Sequence, residues 1–176
     1  MSLVKLPLGL YADQMRVLGI DPGTARVGYG LVDFDARWDA SCVTVGTITT
    51  AKTGTLPERL REIHEDLTML IATYRPDEVA VEELFFVQNV TTGINVAMAR
   101  GVVLLAAAQA GLQVAGYVPM VVKQAVTGYG RADKREVQER VRDLLALEAI
   151  PRPDDAADAL AVALCHAHHI EARVAL

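Results

Sequence analysis

The sequence predicts an α/β domain with a five-stranded mixed sheet flanked by helices. Three observations predict it. The first third reads as three β-rich segments joined by turn sequences, which makes them antiparallel. After that, helical periodicities alternate with two more short apolar strands. No repeat, low-complexity tract or linker interrupts the 176 residues, about one domain's worth.

The elements follow in order. Arg16–Asp21, Arg26–Asp33 and Ser41–Thr50 are rich in β-branched residues and are separated by Pro-Gly and Asp/Ala turns. A helix spans Pro57 to Tyr74, with Leu60, Ile63, Leu67, Leu70, Ile71 and Tyr74 at helical spacing. Glu78–Glu82 is the fourth strand. Asn89 to Ala110 is an alanine-rich helix ended by Gly111, and Leu112–Val118 is the fifth strand. A short helix near Pro119–Val126 gives way to Thr127-Gly128-Tyr129-Gly130, expected to be a flexible loop. Asp133-Lys134-Arg135-Glu136 opens the next helix as a capping-box-like start. The last helix begins after Pro151 and Pro153, with Asp154 or a neighbour as its cap. The first fourteen residues carry no motif and Met15 is a natural start, so residues 1–14 are expected to be a disordered extension and 15–176 the domain.

Just over half of the residues are apolar, which suffices for a core. Cys42 and Cys165 are far apart and in no metal spacing, which fits a reducing, cytoplasmic setting without disulfides. The uncharged run from Gly101 to Val122 contains Gln109, Gly111, Gln113, Gly116 and Pro119, so it reads as helix end, turn and strand rather than a membrane span. No signal peptide is expected, because the early apolar stretch is short, Pro-interrupted and lacks a strong basic flank. The formal charge of −5 speaks against a polyanionic partner. Two divalent cations held by acidic side chains would bring it near neutral. From Arg100 to Arg142 there are seven basic residues against three acids, a local net of +4 that suits a phosphate-facing surface.

The acids worth singling out are Asp21, Glu82, Asp155 and Asp158. Asp21 ends the apolar run Val17–Ile20 and Glu82 ends Val79–Val81. A carboxylate at the end of a buried strand is costly without a partner, and clustered carboxylates repel unless a cation sits among them. Hard oxygen ligands suit Mg²⁺ or Mn²⁺. Each piece also has an ordinary explanation. Asp-Pro-Gly is a strong turn by itself, and acids in a helix's first turn are stabilised by its dipole. That covers Asp154 and Asp155 better than Asp158, three residues further into an apolar helix. Asp154 and Asp158 are four apart, so spacing alone leaves Asp154 open as a ligand.

Lys134 and Arg135 stand in a first turn, where cations oppose the dipole. Either they form a solvated face or they grip a phosphate. Leu84-Phe85-Phe86-Val87 is either core or interface, or it places an aromatic beside the site to stack on an unpaired base. Cys165-His166-Ala167-His168-His169 has the look of a metal cluster. Cys165, however, lies seven residues past Asp158, about 10 Å along the helix, too far for one site. It is taken as helix surface and packing.

Five motifs in register, GIDPGTARVGYG, AVEELFFVQN, Ala99–Gly101, VKQAVTGYGRADK and DAADALAVALCH, closely resemble the RuvC family of Holliday junction resolvases over nearly everything after Met15. The resemblance implies an RNase H-like fold and an endonuclease that resolves four-way DNA junctions by paired symmetric nicks in recombination and repair. It implies Mg²⁺, two ions per site with Mn²⁺ able to substitute, and an in-line displacement at phosphorus. It selects Asp155 over Asp154 and makes Asp21, Glu82, Asp155 and Asp158 the catalytic metal ligands. Lys123 is then a catalytic and DNA-binding cation. Lys134 is the second basic residue needed at the junction and Phe85 the junction-contacting aromatic; Arg131 and Arg135 join the DNA-binding set from their place in the basic stretch. It further implies a homodimer, a RuvA–RuvB branch-migration partner and no membrane association. Apolar residues run round the Asn89–Ala110 helix, among them Val96, Met98, Val102, Val103 and Leu105, which makes it the expected dimer face, the alternative being a helix buried wholly within the monomer. The competing readings are an RNase H-like nuclease acting on RNA, a non-catalytic junction-binding protein, and an actin-like ATPase. The last needs two such domains, and this chain has one.

Overall fold

The computed structural model describes residues 14–83 and 90–174. Its sheet has the order β3-β2-β1-β4-β5, with β1 Gln14–Asp21, β2 Arg26–Asp35, β3 Ala40–Thr49, β4 Glu78–Glu82 and β5 Gln113–Tyr117. β1 is central, antiparallel to β2 and parallel to β4; β4 in turn runs parallel to β5. The helices are α1 Leu56–Tyr74, α2 Val90–Gln109, α3 Pro119–Thr127, α4 Lys134–Leu144 and α5 Asp154–Val174. The expected mixed five-stranded sheet is present, with each boundary within about two residues of its sequence reading. The domain also takes in Gln14, whose side-chain amide donates to Asp33 at 2.9 Å.

Strand alternation sorts the core into two layers. Val17, Val32, Phe34 and Ala80 join α3, α4 and α5 on one face. Leu18, Ile20, Leu31, Val79 and Val81 join α1 and α2 on the other. The first face is paved with glycine. A Cβ on Gly19 would lie 2.1 Å from the Ala159 carbonyl oxygen, and one on Gly28 would lie 1.9 Å from that of Asp155. The facing side of α5 is Ala156, Ala157, Ala159 and Ala163, all buried. Small residues on both sides therefore let helix backbone and sheet backbone nearly touch.

The ends are fixed locally. Glu58 accepts from the Thr55 N–H at 2.7 Å to start α1. Asp133 and Glu136 form the expected reciprocal capping box of α4, at 2.9 and 2.7 Å. At the other end of β1, away from Asp21, Arg16 makes a two-pronged ion pair with Asp33, at 2.6 and 2.7 Å, and donates to the Tyr74 carbonyl at 2.8 Å. The segment expected to be flexible is instead braced by one side chain: Gln124 donates to the Gly128 carbonyl at 2.7 Å and accepts from the Gly130 N–H at 2.9 Å. Among the described residues, no helix is long and apolar enough to cross a membrane.

Adding a methyl group at the closest helix–sheet contact should be expensive. Gly28→Ala is expected to lower stability by about 1–3 kcal/mol, the usual cost of overpacking, because its nearest neighbour is backbone. A calorimetric melt indistinguishable from the parent's would mean that α5 is free to lift off the sheet.

Candidate active site

The same alternation builds the site. Asp21 lies two residues beyond Gly19, and Glu82 two beyond Ala80, so both point to the α5 face. Asp21 is opposite Gly28 in the β1–β2 register. The β1–β4 register runs to Ile20↔Val81, which makes Asp21 and Glu82 the next neighbours, on strands about 4.8 Å apart. They occupy the carboxyl ends of two parallel strands, where open α/β sheets place their ligands. α5 begins directly above, with Asp155 over Gly28 and Asp158 one turn on.

The charges are far from independent. Burial is the largest cause that pushes the Asp21 carboxyl up, to about 7, with the charges of Asp158 and Asp155 adding to it. Burial likewise pushes Glu82 to about 8, helped by Asp21, with which it shares a hydrogen bond. Asp158 is raised by burial although Lys134 opposes the shift. Asp158 and Asp155 each pair with a basic side chain. Lys134 Nζ lies 3.0 Å from Asp158 Oδ2, and Arg26 Nη1 lies 3.0 Å from Asp155 Oδ2. Asp154 instead meets Arg152 at 2.6 Å and Lys134 at 3.5 Å. Asp155 and Asp158, not Asp154, are the helix carboxylates whose charge reaches Asp21.

A divalent cation fits this donor set. The ligands are hard oxygens, partly stripped of water, and they repel one another. Among the described residues no three acidic, histidine or cysteine side chains close round one point as a finished shell. A divalent cation held there would take its remaining ligands from water and substrate phosphate oxygens.

The basic residues divide. Lys134 reaches the acids. Arg135, its neighbour, pairs instead with Glu139 at 2.8 Å. Lys123 is half-buried on α3, which packs against α5, and Arg131 is exposed between α3 and α4. Phe85 lies outside the described residues. The Cys165–His169 segment is more buried than expected. Cys165 is inaccessible, and His166 bridges the Tyr117 hydroxyl at 2.7 Å and Glu78 at 2.8 Å.

Arg26 was not apparent as a site residue. Its signal is its place in the sequence: it starts the strand whose same-face neighbours are Gly28 and Gly30. A second clip was also missed. Glu83 donates its N–H to the Tyr117 carbonyl at 2.8 Å and accepts from Arg100 Nη2 at 3.3 Å, fixing the strand end that carries Glu82.

Comparison with known proteins shows the family. The family model for crossover junction endodeoxyribonuclease RuvC matches residues 17–166. A Heliobacterium modesticaldum protein of that name is 58% identical over 156 residues, covering 89% of this chain and 96% of its own length. The solved Thermus thermophilus RuvC in complex with a Holliday junction substrate superposes with a TM-score of 0.86 at 40% identity, covering 90% of this chain and 96% of that one. The yeast mitochondrial Holliday junction resolvase Ydc2 shares the fold, with a TM-score of 0.64 at 12% identity over 91% of this chain and 82% of that one.

The raised carboxyls set a pH dependence. In metal-free protein, the folded state keeps protons on Asp21 and Glu82 between the usual carboxylate range and about pH 7–8, where the unfolded chain has lost them. The folded state binds more protons there, so stability falls as pH rises through that window. Asp21→Asn should flatten the fall, and the melting points of parent and variant should diverge most above pH 7. Parallel curves would show that Asp21 ionises normally.

Proposed function

This chain belongs to the crossover junction endodeoxyribonuclease RuvC family, and from that premise we propose that it resolves four-way DNA junctions by metal-dependent hydrolysis of two phosphodiesters. The observation that carries the reading is the convergence of Asp21, Glu82, Asp155 and Asp158 from two strand ends and one helix start, with basic side chains around them.

The tetrad would hold the metal, and Mg²⁺ at two ions per site is the assignment we favour. When bound there, divalent cations supply Lewis acidity and an activated water at neutral pH. The chain's own residues do the rest. Asp21 and Glu82, both raised, would hold a cation in their deprotonated forms, so its binding would be linked to proton release. Lys134, within 3.0 Å of Asp158, stands where it can offset negative charge gathering at phosphorus. Lys123 and Arg131 lie on the same side of the sheet and extend the basic surface along the DNA backbone. Phe85, three residues past Glu82, is assigned to stacking on an unpaired base at the junction. Arg135 is given a lesser part, because Glu139 already engages it.

A homodimer completes the reading. α2 buries Ala99, Val103, Ala106 and Ala107 against its own sheet. It also exposes Ile94, Met98 and Leu105, at 50%, 41% and 51%. With Gly101 between them, where a Cβ would meet nothing, these residues follow one helix face. α2 is thus not wholly buried within the monomer, and its exposed apolar stripe supports placing the dimer contact there. A two-fold dimer supplies two sites for two matched nicks. A cytoplasmic location and a branch-migration partner of the RuvA–RuvB kind accompany this assignment.

Two experiments test it. Asp21→Asn should bind a synthetic four-way junction and fail to cut it in Mg²⁺, by at least about a hundredfold as befits loss of a metal ligand, whereas Asp154→Asn should cut nearly as the parent does. Full cleavage by Asp21→Asn would remove the proposed site. Separately, sedimentation at micromolar concentration should give a dimer that Leu105→Glu splits. A parent species near 19.0 kDa that still makes paired nicks would overturn the dimer.

A further inference from the structure

The two ion pairs at the start of α5 have a consequence beyond catalysis. We infer that Arg26 and Lys134 are built-in counterions that compete with the divalent cation for Asp155 and Asp158, so that the site loads fully only when another anion draws these side chains away. The inference rests on the metal-binding reading above.

The geometry is specific. Each helix aspartate has its own basic partner from a different element: Arg26 from β2 for Asp155, and Lys134 from α4 for Asp158, both at 3.0 Å. A metal ion bound to the same carboxylate oxygen would sit about 2.0–2.1 Å from it. It would then lie within a few ångströms of an ammonium or guanidinium, in strong like-charge repulsion. Both cannot stay. The basic side chains are able to leave, because Arg26 and Lys134 are 44% and 55% exposed. Lys134 has somewhere to go, since Asp154 already lies 3.5 Å away. Arg26 has no second acid partner among the described residues, so its natural destination is a phosphate oxygen. A phosphodiester reaching the site would therefore release both aspartates and take up both cations. Metal binding and DNA binding become positively coupled, each favouring the other by the same factor.

Arg135 supplies the control. It carries the same charge next to Lys134, yet it pairs with Glu139 at 2.8 Å and not with the acids. The test titrates the DNA-free full-length chain with Mn²⁺ and reads free Mn²⁺ by electron paramagnetic resonance. Arg26→Gln and Lys134→Gln should each bind Mn²⁺ about threefold to fivefold more tightly than the parent, the range a part-exposed ion pair allows. Arg135→Gln should stay within about twofold, since its through-space charge is screened. In an Asp155→Asn background, Arg26→Gln should add nothing. If Arg26→Gln and Lys134→Gln bind no more tightly than Arg135→Gln, or bind more weakly than the parent, the counterion inference is wrong. If neither the parent nor any variant binds Mn²⁺, the metal-binding reading itself falls, which is a different result.

Discussion

The structure depends on how closely α5 can lie on the sheet. Gly19 and Gly28 remove the side chains that would hold it off, and Ala156, Ala159 and Ala163 do the same from the helix. Contacts between small residues contribute little per residue by area burial. The fold accepts that and gains position: the first turn of α5 stands over β2 at Gly28, opposite Asp21 at the end of β1. A larger residue at Gly28 would bury more carbon and push Asp155 away from Asp21. Here packing is arranged to place charge, and the larger apolar side chains that stabilise the domain are found mainly on the other face, where Leu18, Ile20, Leu31, Ile63 and Leu67 meet.

The second constraint is electrostatic. Bringing carboxylates to partly buried positions is unfavourable, and the protein lessens the cost in two ways. Asp21 and Glu82 both rise, and a hydrogen bond joins them. Asp155 and Asp158 keep their exposure near 35% and 26% and take cationic partners. Desolvation governs Asp21 and Glu82 at the strand ends, and at Asp158 it still outweighs the opposing Lys134. A site so arranged is stable without metal and still holds oxygen ligands ready for it. The inferred competition at α5 follows from that double requirement.

Much of this was legible in the sequence. Every element appeared as a periodic segment bounded by turn or capping residues, because the strands alternate cleanly and the helices carry their own start signals, as Asp133 with Glu136 does. The acids were legible because a charge ending an apolar run is locally unfavourable and so stands out. The misses have a common cause. Arg26, Arg100, Gln124 and His166 acquire their roles only from partners distant in the chain or from a turn whose shape is not local. Arg26 meets Asp155 across 129 positions, and His166 meets Glu78 across 88. Adjacency grouped Arg135 with Lys134 in the sequence, but consecutive helix residues point about 100° apart, and Arg135 meets Glu139 one turn on. Likewise, glycines in the 127–130 segment suggested mobility, whereas one glutamine side chain closes it.

The division between the faces also bears on assembly. α2 packs on the face opposite α5, so its exposed stripe of Ile94, Met98 and Leu105 points away from the acids. A dimer built on α2 would keep the two tetrads separate, each at the carboxyl ends of its own β1 and β4, with no carboxylate contributed across the interface. Every ligand of one site then comes from one chain, and the two-fold axis sets only the spacing and direction of the two sites. Symmetric nicking would follow from that geometry alone, because two complete sites related by a two-fold axis meet strands related by the same axis.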